Sequence, residues 1–302
     1  MDNKQKTHQA IYPNIRYIVL EPDFGKREIK KKHTIYIQEI HVLLIRLFKQ
    51  SIRRPSLICT GILQPLLWLT LFGALFQNAP IQLFTEGQKY SDFVSCGIIV
   101  FTAFTSALNS GLPIMFDREF GFFNRILSSS IYSRYSILIA SSVNILLSSY
   151  IQILFIIFAT SILGKSSIPT VNNYTIIFNV LFLLSNSVTG FSLVLAFILP
   201  GHIELLACIL IINLPLLFSS TALAPLVFMP SWLQIIASLN PLTYAIEVIR
   251  YAYLNNSVLP TSVIINTTWG NINFQQIVVI LLITNLLTVL ISYRLIGDKF
   301  ED

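Results

Sequence analysis

The chain has 302 residues, 54% of them hydrophobic and 11% charged, with a formal net charge of +6. A soluble globular domain is about 25% charged, so the composition excludes one and defines a polytopic membrane protein. Nucleic-acid binding is disfavoured too, because no folded basic domain is available to carry it.

In chain order, residues 1–33 are polar and basic and lack the apolar core of a signal peptide. They read as a flexible cytosolic tail. Its run Lys26–Lys32 is either a contact for anionic headgroups or a solvated topology signal. Over about 34–52, Ile37, Ile40, Leu44 and Leu47 share one helical face, and Glu39, Arg46 and Lys49 lie off it. That pattern predicts an N-terminal interfacial helix. Six apolar segments follow, at about 56–76, 93–115, 137–163, 174–199, 205–228 and 274–296. Each reaches the ~20 residues a helix needs to cross a bilayer, and backbone in lipid must satisfy itself, which favours helices over isolated strands. The predicted fold is therefore an all-α membrane protein with six transmembrane helices, a single membrane domain over 34–302.

Two further helices fall between spans. Residues 116–127 read FDREFGFFNRIL, placing Phe116, Phe120, Phe123 and Leu127 on one face. Residues 239–250 read LNPLTYAIEVIR. Asn240 is a good N-cap and Pro241 a good first helical residue, while Glu247 and Arg250 sit one turn apart and can pair. This helix is expected along, or dipping into, the outer leaflet, with Trp232 and Trp269 as interface anchors on either side.

Orientation follows from the 20 lysines and arginines. With the N-terminus inside, seventeen lie on the inner side, including Arg118, Arg125, Arg134, Arg294 and Lys299. Only Lys89, Lys165 and Arg250 lie outside. Both termini are then on the cytosolic side, or its equivalent, and the number of spans is even.

The spans themselves, with the last cut at Ser292, contain no Asp, Glu, Lys, Arg or His. Proton-coupled carriers and membrane enzymes need such groups, so an ion-coupled secondary carrier is the weaker alternative and no catalytic residue is assigned. Ala159–Ser166 reads ATSILGKS and fits a loose phosphate-loop pattern, but no strand precedes it and it falls at a span end. Cys59, Cys96 and Cys208 and the four histidines show no metal-ligand spacing, and no cofactor or metal site is expected in this chain. The second span carries Thr102, Thr105, Ser106, Asn109 and Ser110, with Ala103, Ala107 and Gly111 at four-residue spacing. The third carries Ser141, Ser142, Asn144, Ser148, Ser149 and Gln152. These polar groups are either helix–helix contacts or the lining of a path. Asn173, Asn255 and Asn266 begin Asn-x-Ser/Thr triplets, which carry no meaning outside a secretory compartment.

Two motifs resemble those of the membrane permease subunits of type-2 ABC exporters. One is Asp117-Arg118-Glu119-Phe120-Gly121, followed by Asn124-Arg125-Ile126-Leu127 and Ser133-Arg134. The other is Asn240-Pro241-Leu242-Thr243-Tyr244 with Glu247 and Arg250. The resemblance covers roughly 40–300. It departs at Ser130, where many members carry proline, and is loose over Leu216–Phe228. It implies a permease dimer of like or unlike chains, with a separate ABC ATPase subunit that holds ATP and magnesium. It makes 116–127 a coupling helix in which Asp117, Arg118, Glu119 and Arg125 face the ATPase, Phe120 faces the membrane domain and Gly121 permits a turn or close approach. It makes Asn240, Pro241, Tyr244, Glu247 and Arg250 part of a re-entrant outer helix that gates the exit. Relatives of this kind export lipids, polysaccharides or hydrophobic drugs, and the chain is most similar to plastid-encoded or cyanobacterial members.

Overall fold

The computed structural model describes residues 32–53, 55–76, 90–128, 135–163, 171–254 and 258–301. The basic tail over 1–31, the loop residues Lys89, Ser130, Ser133, Arg134 and Lys165, and Asn255 lie outside the described residues.

The amphipathic segment forms α1 (Lys32–Arg53). The first apolar segment forms α2 (Pro55–Leu75) and the second α3 (Tyr90–Leu108), which runs on into α4 (Gly111–Glu119) through a short break. Pro113 has no N–H to reach Asn109 O, and Leu112 N takes that carbonyl instead at 3.2 Å, tightening the turn. A second break follows at Gly121, whose φ of +71° is the left-handed conformation that glycine adopts without strain. Beyond it lies α5 (Phe122–Ser128). The predicted single helix over 116–127 is thus two helices meeting at an elbow.

Three long elements come next: α6 (Tyr135–Leu163), α7 (Val171–Ile198) and α8 (His202–Phe218). The expected fifth span, 205–228, stops being helical at Phe218. Residues 219–230 form turns and one short 3-10 segment, Leu226–Phe228. Two short helices follow, α9 (Ser231–Leu239) and α10 (Pro241–Leu254). An antiparallel hairpin, β1 (Val263–Thr267) and β2 (Gly270–Asn273), then leads directly into α11 (Phe274–Glu301). The hairpin is an addition to the all-helical expectation.

Four stretches are long and apolar enough to cross a membrane: Asp92–Glu119, Tyr135–Thr160, Asn173–Ile198 and Phe274–Leu295. Gly61–Leu75 and His202–Phe218 are shorter apolar helices among the described residues. The first of the four is 89% buried within this chain and the last only 11%, so α3–α4 is the central post and α11 a peripheral one.

Side-chain register fixes the directions of the helices. Asn285 reaches Leu183 O and Ser292 reaches Gly190 O, and both pairs are 102 residues apart. A constant offset means that α7 and α11 are parallel. Gly111 N bonds to Ser192 Oγ, and Arg118 bonds to Ala196 O and Leu199 O, at offsets between 78 and 81, so α4 and α7 are parallel too. α6 therefore returns the chain between α4 and α7, and the stretch from α8 to the hairpin returns it between α7 and α11.

Most polar residues in the spans are enclosed by the packing. Thr102, Thr105 and Ser110 on α3–α4, and Ser141, Asn144, Ser149 and Gln152 on α6, are all buried among helices of the same chain. Ala103, Ala107 and Gly111 are likewise buried, and a Cβ on Gly111 would come within 2.6 Å of Ser192 O. The small residues permit a close helix approach, while the hydroxyls of Thr102, Thr105, Ser141 and Ser149 bond to carbonyls of their own helices.

Candidate functional site

Two clusters of the motif residues stand at opposite ends of the α7 helix. At the elbow end, three consecutive residues reach three different elements. Asp117 accepts from Arg46 of α1 at 2.5 Å, and the Arg46 guanidinium lies 4.1 Å from the Phe122 ring centre on α5. Arg118 donates to Ala196 O and to Leu199 O at the end of α7, and also lies over the Phe197 ring. These carbonyls have no partner within their own helix, and the negative end of the helix dipole adds attraction for a cation. Glu119 accepts from the His202 ring at 2.6 Å and from His202 N at 3.3 Å, which caps the start of α8. An acidic group there meets the positive end of that dipole.

The charges of Asp117, Arg118 and Glu119 are thus spent on partners in the same chain. The elbow leaves Phe120 at 72%, Phe122, Asn124 and Arg125 exposed, next to the paired but exposed Glu119. Phe123, by contrast, is buried against Phe197. Phe116 and Phe123 hold the elbow to the body, while Phe120 points away from it. Gly121 has open space around it, so its role is the turn rather than a close approach. A cleft of about 610 Å³ opens beside the elbow, lined by Ile45, Lys49 and Arg53 of α1 with Asp117 and Phe122.

At the other end, α10 begins at Pro241, and Asn240 Oδ1 accepts from Leu242 N at 3.0 Å, a side-chain N-cap. Asn240 Nδ2 reaches back to Leu216 O and Ser219 Oγ, where α8 ends. Tyr244 donates to Ser238 O at 2.5 Å, pinning the corner between α9 and α10. Nearly all of α10 is buried against α3 and α7, from Leu242 to Ala252. Glu247 and Arg250 pair inside this packing, with side chains 16% and 7% exposed. Arg250 also donates to Thr221 O at 2.8 Å and lies 3.6 Å from the Phe93 ring centre of α3. Tyr90, at the head of α3, donates to Leu223 O at 3.2 Å.

The non-helical residues after α8 are therefore tied by three side chains, Asn240 and Arg250 of the α10 segment and Tyr90 of α3. Backbone that leaves its helix in an apolar setting is tolerated only when protein groups satisfy it, and these side chains do so. Gly97 completes the fit, since a Cβ there would meet Ala222 O at 2.5 Å.

The sequence reading paired Glu247 with Arg250 but missed their partners. Thr221 is 29 residues from Arg250, and His202 is 83 from Glu119. Neither separation leaves a local signal. Asn173 is also used structurally: its amide donates to Ala252 O at 2.7 Å, tying the start of α7 to the end of α10.

The bundle thus carries an elbow at one end and a capped, buried helix at the other. Residues 38–254 match the ABC-2 type transporter family, and the chain belongs to it. Among curated proteins, it is 57% identical over 247 residues to a transport permease, ycf38, of Porphyra purpurea, covering 82% of this chain and 84% of that one. Proteins of the same name from Pyropia yezoensis and Cyanophora paradoxa are 52% and 50% identical. Each match covers 88% of this chain and 91% of the relative.

Proposed function

We propose that the chain is the membrane permease of an ATP-driven exporter in a plastid membrane, energised by a separate ABC ATPase subunit that holds ATP and magnesium. The reading takes six crossings, with α2 and α8 as the first and fifth. The parallel run of α7 and α11 supports this, because an intervening element must carry the chain back. The elbow end and both termini then face the stroma, and the hairpin lies on the far side. The substrate is an amphiphile, lipid-like, polysaccharide or drug-like. Two permeases pair, and the apolar outward faces of α2 (Leu63, Leu67, Leu71) and α8 (Leu206, Leu210, Leu214) are consistent with that.

The observation that carries the reading is the elbow. Asp117, Arg118 and Glu119 join α1, α7 and α8 at one point, so a push on Phe120 or Arg125 reaches three elements together. In this proposal Phe120, Arg125 and the neighbouring cleft meet the ATPase, while Asp117, Arg118 and Glu119 transmit its motion. At the other end, Asn240, Pro241, Tyr244, Glu247 and Arg250 hold the outer gate. The test is co-purification of the full chain with the ABC ATPase expressed beside it, with and without Phe120→Ala and Arg125→Glu. Stoichiometric capture, weakened about tenfold by the double variant, is expected for an exposed charge and aromatic at an interface. ATP hydrolysis by the lone chain, or no capture by the unaltered one, overturns the proposal.

A further inference from the structure

A second recess, of about 510 Å³, lies between α6, α7 and α11, with Tyr36 of α1 on its lining. That volume falls in the range of small-molecule sites. Helix register fixes its depth. Tyr150 of α6 stacks on Phe178 of α7 at 4.5 Å, and the two helices run in opposite directions. Tyr135 therefore falls at the level of Leu193, and Ser142 at the level of Asn186, about 10 Å deeper along the helix. Tyr135 also stacks on Tyr293 of α11, with ring centres 4.6 Å apart. Tyr135 and Tyr293 thus line one end, and Leu138, Leu193 and Val289 line the sides. The floor is built from Ser142 and Asn186.

The floor is polar but uncharged. Asn186 Nδ2 donates to Asn285 Oδ1 at 3.3 Å, and Ser142 donates its hydroxyl to Leu138 O at 2.9 Å. Among the described residues, nothing donates to the carbonyl oxygen of Asn186. The floor therefore presents the Asn186 carbonyl oxygen as an open acceptor, with one of the two amide N–H groups and the Ser142 hydroxyl hydrogen already used. No lining residue is charged. Ile139, Val289 and Tyr293 are 41%, 44% and 55% exposed, so the recess opens sideways onto the apolar surface of the bundle.

We propose that this recess binds a neutral, elongated lipid alcohol that enters from the membrane, with its hydroxyl donated to Asn186 and its apolar body along the walls. An acceptor at membrane depth is costly unless a donor meets it, which favours an alcohol over a plain hydrocarbon. A charged headgroup would find no partner there. The site is independent of the export reading and stands if that reading fails.

The full chain in detergent would be photolabelled with a diazirine derivative of dodecan-1-ol, with the matching dodecane derivative as comparison. Labelled peptides are identified by mass spectrometry. The alcohol should label 135–142 and 186–193 saturably, about threefold or more above the alkane, the worth of one hydrogen bond. Ile139→Trp fills the recess from a position already open to lipid and should cut labelling about tenfold. Asn186→Leu should erase the difference between the probes. If Asn186→Leu fails to fold, Ile139→Trp carries the test alone. Equal labelling by the two probes, labelling spread without saturation over α2 and α8, or no effect of Ile139→Trp would overturn the proposal.

Discussion

Removing the Arg250 guanidinium leaves Glu247 inside the bundle without its cation and Thr221 O without its donor. Breaking a buried pair by deleting one partner costs about 3–5 kcal/mol. Arg250→Ala should therefore lower the denaturation midpoint sharply, and Arg250→Lys less, because a lysine keeps the charge but not the two-pronged geometry. A midpoint unchanged by Arg250→Ala would show that the pair carries no stability. Arg118→Ala should be milder, about 1.5–3 kcal/mol for hydrogen bonds made by a charged group, since its partners are carbonyls at a helix end rather than a buried charge. Local chemistry was what the sequence made legible at this scale. The cap by Asn240 and the helix start at Pro241 depend on neighbours, whereas the reach of Arg118 to Ala196 and of Glu119 to His202 depends on how α7 and α8 arrive.

Between elements, the elbow rests on one residue. Gly121 has φ +71°, and an L side chain there costs about 1–2 kcal/mol. Gly121→Ala should lower stability by that amount, and Gly121→Asn by less, because asparagine tolerates the left-handed region. Equal midpoints for glycine and alanine would argue against the turn. The parallel run of α7 and α11 gives a sharper test. With Cys59, Cys96 and Cys208 replaced by serine, Gly190→Cys and Ser292→Cys should oxidise to a disulfide. A Cβ on Gly190 would stand 3.1 Å from Ser292 Oγ. Failure to cross-link under oxidation would contradict the register. The sequence located α2, α3, α6, α7 and α11 through long apolar runs, but it overran the end of α8. Residues 219–228 read SSTALAPLVF, in which Pro225 bars a continuing helix, and bonds from Asn240 and Arg250 hold the chain where it leaves α8. The hairpin went unseen because its five-residue strand is short and its glycine, Gly270 at φ +127°, follows a tryptophan rather than a familiar turn pair.

For the whole molecule, the two motif clusters lie at opposite ends of the bundle, which makes sidedness measurable. In sealed vesicles, cysteine at Arg125 and cysteine at Trp269, both exposed, should react with a membrane-impermeant maleimide from opposite faces. Reaction of both from one face would break the crossing scheme. In the sequence, charge asymmetry led to this expectation by assigning seventeen basic residues to one side and three to the other.

The fixed offset between α7 and α11 also sets a parity rule for the chain. Any stretch grafted between Leu199 and Asn273 can grow or shrink in its surface turns, yet it must hold an odd number of passes. A single added pass would invert α11, and Asn285 and Ser292 could no longer meet Leu183 and Gly190 in the same order.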